Sequence, residues 1–86
     1  MQFEFDQVKS DSNYQKHGID FIIAQALWLD DFYLEVPAKS DDEPRFQVIG
    51  LIGDKHYSAF ITYRDECIRI ISVRHARKEE VAMYES

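Results

Sequence analysis

Apolar residues recur along this chain in two periods, helical before residue 31 and alternating after it. Asp6 is placed to cap a helix over residues 7–17, and Gly18 stands where a left-handed helix end costs glycine least. That helix is mostly polar, and Val8, Tyr14 and the flanking Phe5 and Ile19 are expected to hold it down. Its Lys9, Asn13 and His17 fall on one stripe with Lys16 beside it, which reads either as a solvated face or as the wall of a ligand groove. Asp20 then caps a second helix over residues 21–29, with Ile19 placed to staple against Ala24. In it Phe21, Ala24, Leu27 and Trp28 recur at helical spacing and are assigned to the core.

Beyond residue 31, Phe32, Leu34 and Val36 alternate with Tyr33 and Glu35 until Pro37 ends the strand. Residues 38–44 are polar and acidic and read as a loop. A strand over 45–52 places Phe46 and Val48 on one face and Ile49 and Leu51 on the other, and Gly53-Asp54-Lys55 forms a hairpin turn. Strands over 56–63 and 67–74 follow, separated by a turn at 64–66, and residues 76–86 form a helix with Arg77, Glu80 and Tyr84 on one stripe. With a short β-prone opening at 3–5, the order is β-α-α-β-β-β-β-α. This predicts a single α+β domain over residues 1–86: a short N-terminal strand, two helices, an antiparallel four-stranded meander and a C-terminal helix.

Length limits what such a chain can bury, since 86 residues make a small core that a partner subunit would help to stabilise. The net charge of −6 argues against indiscriminate nucleic-acid binding. Its distribution is uneven: residues 1–43 carry −7, residues 44–86 carry +1, and residues 64–78 carry +3. In that last segment Arg64, Arg69, Arg74, Arg77 and Lys78 surround the most β-prone run in the chain, residues 68–73. A guanidinium beside such a run requires an anion, either one of the protein's own carboxylates or a bound phosphate. On a regular strand Arg69 and Arg74 point to opposite faces, so they share a ligand only if a bulge intervenes or Arg74 lies beyond the strand end. Glu80 is the nearest internal partner for Arg74, while Arg64, in a turn, is freer to meet a ligand.

Other chemistries are excluded by their missing parts. The opening residues lack the pattern of a signal peptide, and the longest apolar stretch, 21–29, is interrupted by Gln25 and too short to span a bilayer. A soluble, cytoplasmic protein with no membrane partner is expected. Cys67 is alone, and His17, His56 and His75 lack metal-ligand spacing, so neither a disulfide framework nor a metal site is expected. No cofactor motif is present, and none is expected to be bound.

RNA cleavage without a metal requires few groups: one to deprotonate and aim the 2′-hydroxyl, cations for the charge on phosphorus, and an acid for the leaving oxygen. Arginine suits the charge, and His, Lys, Glu or Tyr the proton transfers. At this point Phe3-Glu-Phe-Asp6, Lys9, Asn13, Lys16-His17-Gly18, Phe21 and Ala24 resemble the first half of the BrnT toxins. Thr62-Tyr63-Arg64, then Ile68-Arg-Ile-Ile-Ser72 with Arg74, Ala76, Glu80 and Tyr84, are similar to that family's closing signature. The resemblance implies a RelE-like ribonuclease fold and the toxin role in a type II toxin–antitoxin system. The activity implied is metal-independent cleavage of RNA that arrests translation. The implied partners are RNA and a BrnA-like antitoxin, DNA being met only through the antitoxin; homodimer and hetero-oligomer are both left open. Carried over by position, the catalytic set is Lys9, His17, Arg64, Arg74, Glu80 and Tyr84, with Lys16, Arg69 and Arg77 binding substrate. In this reading Arg64 and Arg74 hold the scissile phosphate and Lys9 or His17 assists. The alternative is a non-catalytic interaction module of the same fold, or a toxin that retains only antitoxin binding, with the arginines paired internally.

Overall fold

Asp6 starts the first helix as its position suggests, its carboxylate accepting from the N–H groups of Val8 and Lys9 at 2.9 and 3.2 Å. Gly18 ends that helix with φ of 73°, its N–H donating to the Tyr14 carbonyl. The computed structural model describes residues 2–86. Its elements are β1 (Gln2–Glu4), α1 (Gln7–His17), α2 (Phe21–Ala24) running into a 3-10 turn (Gln25–Leu29), β2 (Leu34–Ala38), β3 (Arg45–Ile52), β4 (Lys55–Arg64), β5 (Cys67–His75) and α3 (Lys78–Glu85). This is an α+β fold. The second helix is tighter than expected over its last five residues, and the third begins at Lys78, with Arg77 at its N-cap.

The sheet corrects the four-stranded expectation. It has five strands in the order β1-β5-β4-β3-β2, because β1 pairs in parallel with β5 and makes the sheet mixed. The other pairings are antiparallel, and β2 lies at the free edge, where Pro37 sits inside the strand without interrupting a central ladder. One face of the sheet carries Phe46 and Val48 of β3, Ala59 and Ile61 of β4, and Ile68, Ile70 and Val73 of β5. With Ile19, Phe21, Ala24 and Leu27 they form the buried core, joined by Phe3, Phe5 and Trp28. Trp28 packs edge-on against Phe3, ring centroids 4.9 Å apart. The opposite face carries Gln47, Ile49, Ser58, Phe60 and Arg74, and α3 packs there.

Two local expectations fail. Phe32 precedes β2 and is 78% exposed, because Asp30 accepts from its N–H and turns the chain there. Val8 and Tyr14 do not hold α1 down; they are 75% and 50% exposed. Polar groups do that work instead. The buried Ser10 hydroxyl accepts from the Phe21 N–H at 3.0 Å. The Asn13 amide donates to the carbonyls of Ile19 and Val73, both at 2.8 Å, and its oxygen accepts from the Val73 N–H at 3.2 Å.

Since β1 covers only Cys67, Ile68 and Arg69 of β5, the outer edge of the later residues needs another partner. Asn13 supplies it, standing in for one residue of a strand. Replacing Asn13 with Ala strands three backbone groups in the interior and is expected to cost about 3 kcal/mol, read as a lowered urea midpoint with an unchanged denaturant slope.

Candidate functional site

Strand β5 does not alternate regularly. Ile61 of β4 faces Ile70 and the adjacent Phe60 faces Ser72, so Ile71 is an extra residue and the strand is bulged. Arg69, opposite Thr62, and Arg74, opposite Ser58, therefore lie on the same face. This corrects the expectation of opposite faces and realises the bulge on which that expectation depended.

Sharing a face does not make them a phosphate clamp, because each has a carboxylate of its own. Arg69 pairs with Glu4 of the neighbouring β1 at 2.9 Å. Arg64, half exposed at the end of β4, lies 3.3 Å from Glu43. Arg74 meets Glu80 through a fork, Nη1 to Oε1 at 2.8 Å and Nη2 to Oε2 at 2.9 Å, with its guanidinium over the Phe60 ring. The same carboxylate accepts from Gln47 at 2.7 Å, from Ser58 at 2.9 Å and from the Arg77 N–H at 2.8 Å.

Glu80 thus closes a network that joins β3, β4, β5 and the first turn of α3. The Arg74 guanidinium above all, then the Arg77 N–H, Gln47 and Ser58, hold its carboxyl far below the usual range, although burial opposes this. The Glu80 bond in turn raises Arg74. A carboxyl so held stays ionised and is a poor proton donor or acceptor near neutral pH.

Tyr84 is anchored in a comparable way. Its hydroxyl donates to Asp30 at 2.6 Å, and chiefly for that reason its pKa is pushed up to about 12. Burial would raise the Asp30 carboxyl, but the bonds from Tyr84, the Leu51 N–H and the Phe32 N–H outweigh it and lower it. Glu80 and Tyr84, expected to position groups or move protons, fasten α3 to the sheet and to the loop after the 3-10 turn. The Arg77 side chain is exposed.

The remaining sequence candidates meet elsewhere. Lys9, Lys16 and His17 line a groove of about 230 Å³ together with Ser12, Asn13, Ile71 and Ser72. One wall is the exposed stripe of α1, and the other is the β5 bulge. No carboxylate lies within ion-pair distance of these three side chains among the described residues. Asn13 fixes the two walls, since it is bonded to Val73, two residues past the bulge. The lining of this groove excludes Arg64, Arg69, Arg74, Glu80 and Tyr84, so of the nine expected site residues only Lys9, Lys16 and His17 meet there, and the others are spread over separate contacts. Among the described residues no three His, Cys, Asp or Glu side chains gather where they could hold a metal ion.

Sequence reasoning missed Ser12, the anchoring of α1 by Asn13, and Gln47, Ser58 and Asp30 as partners of the α3 residues. Only the bulge left a readable trace, in the phase slip from Ile68 and Ile70 to Val73. The Arg74–Glu80 network sets a pH dependence of stability. Glu80 ionises more readily in the fold than in the unfolded chain, so its contribution is complete above its ordinary value of 4.5 and is lost as pH falls below it. Glu80→Gln, which leaves Arg74 half-buried without a counter-charge, is expected to cost about 3 kcal/mol near neutrality. Thermal melts should show that loss shrinking as the pH is taken below 4.5.

A search of curated proteins returned no match to the chain. A family described as "Ribonuclease toxin, BrnT, of type II toxin-antitoxin system" matches residues 5–80. The match takes in α1, the whole sheet from β2 to β5 and Glu80, and this chain belongs to the BrnT family of ribonuclease toxins.

Proposed function

We propose that the protein is a metal-independent endoribonuclease that cuts RNA at the groove between α1 and the β5 bulge, and that this cutting arrests translation. The observation that carries the reading is the partition of cationic side chains. Arg64, Arg69 and Arg74 are neutralised by Glu43, Glu4 and Glu80, whereas Lys9, Lys16 and His17 converge on a groove without an acid partner. An acidic chain keeps these cations available in one place, and a low-dielectric wall focuses their field there.

In the proposed mechanism Lys9 and Lys16 hold the scissile phosphate and offset the charge that builds on phosphorus. His17 moves the proton, imidazole being the side-chain type suited to that task near neutral pH. The 2′-oxygen loses its proton and bonds to phosphorus, and the bond to the 5′-oxygen breaks as that oxygen takes up a proton. The products are a 2′,3′-cyclic phosphate and a free 5′-hydroxyl. Arg74 of β5, with Glu80 and Tyr84 of α3, then supports the fold behind the site, and Arg64, Arg69 and Arg77 meet RNA at the periphery.

A RelE-like arrangement is part of the proposal, supported by the antiparallel β3, β4 and β5 between a helix layer and α3. So are a cytoplasmic location and a BrnA-like antitoxin that alone brings the complex to DNA. Among the described residues no helix is long and apolar enough to cross a membrane. A second reading, a binding module of the same fold without catalysis, is favoured by one observation: Arg64 and Arg74 are both engaged by internal acids.

RNA cleavage by the toxin freed of its partner, assayed in EDTA, separates the two readings. The ribonuclease reading requires cyclic-phosphate ends, no cutting of a substrate with a 2′-deoxy residue at the scissile position, and a rate lowered about 10²–10⁴-fold in His17→Gln and Lys9→Ala. Absent cutting, or cutting unchanged in both variants, establishes the binding module.

A further inference from the structure

The segment from Phe21 to Leu29 is apolar on more than one side. Phe21, Ala24 and Leu27 point into the core and are almost completely buried. Ile22, Ala26 and Leu29 form a second stripe at helical spacing, with Ile23 beside it, and there Ile22 is 61%, Ile23 45% and Leu29 82% exposed. A helix that is apolar all round belongs in an interior, and in this domain only half of it finds one. The exposed stripe runs on into Phe32, and Leu29 borders an open hollow of about 320 Å³ shared with Leu51 and Ile52. Isolated exposed apolar side chains are ordinary, but a run of them along one helix and its following turn marks a contact surface.

Charge selects the occupant. Residues 18–38 contain Asp20, Asp30, Asp31 and Glu35 and no Lys, Arg or His. Two copies docked through this stripe would bring those acids together, so self-association here is opposed. None of the stripe's residues lines the basic groove.

We propose that this stripe is the docking surface for the antitoxin, which would lay on it an apolar segment flanked by lysines or arginines. Leu29 and Phe32 are the anchors, and Asp31 on the rim pairs with a cation of the partner. The inference rests on the toxin–antitoxin role of the family and not on the chemistry of the groove.

The test titrates purified antitoxin into the toxin without RNA, for the wild type, Leu29→Ser/Phe32→Ser and Asp31→Lys. The double variant is expected to bind about 100-fold more weakly while retaining its fold by circular dichroism. Asp31→Lys is expected to bind about fivefold more weakly at low salt, with the difference closing as salt rises. Antitoxin affinity unchanged in the double variant overturns the proposal. So does a wild-type toxin that sediments as a dimer by itself and becomes monomeric in the double variant, for then a second copy is the occupant. RNA cleavage by the double variant is read in parallel: it should equal that of the wild type, and its absence in both proteins removes the ribonuclease reading while leaving the binding result to stand.

Discussion

The arrangement depends on one amide side chain at an unfinished sheet edge. β1 is three residues long and covers only the first third of β5, so the rest of that edge would meet water or another chain. Asn13 closes it with a donor and an acceptor to the same residue, Val73, while its second donor reaches Ile19 in the turn after α1. Because Asn13 and Ser10 fasten the helix through buried hydrogen bonds, α1 needs little apolar surface to stay in place. Its outer face is left to Lys9, Lys16 and His17. A helix held by hydrophobic side chains would have to turn more of that face inward.

Electrostatics follow the same division. Three arginines of the sheet, Arg64, Arg69 and Arg74, meet glutamates brought from the loop before β3, from β1 and from α3. The Arg64 and Arg69 pairs join elements distant in sequence, while Arg74 and Glu80 are near neighbours and form the least exposed pair. Among the described residues the cations of α1 have no such partners. Two basic sets with similar sequence credentials therefore differ in surroundings: one is paired with glutamates and the other, among the described residues, is not.

Much of the local structure was legible because its determinants are local. The caps at Asp6 and Asp20, the left-handed Gly18 and the Gly53 turn each depend on a residue and its near neighbours. The faces of β3 followed from alternation alone. What could not be read depends on distant pairings. The parallel addition of β1 joins residues 2–4 to 67–69, and nothing in either stretch names the other. Strand period placed Arg69 and Arg74 on opposite faces because a bulge inverts the phase. The adjacent Ile70 and Ile71 hid that slip by making both phases look apolar. Phe32 was read as a strand residue for a related reason, since hydrophobicity does not tell burial in this domain from burial against another. Within the site, Glu80 as partner of Arg74 was legible from their short separation, but its bonds to Gln47 and Ser58 were not.

The terminal helix has a different thermodynamic standing from the rest. No residue of α3 is fully buried, and it is tied down mainly by the Glu80 network and by the Tyr84–Asp30 bond. It is therefore expected to open more readily than the sheet and α1. Backbone amides of α3 should exchange with solvent through that partial opening, well before those of β4 and β5.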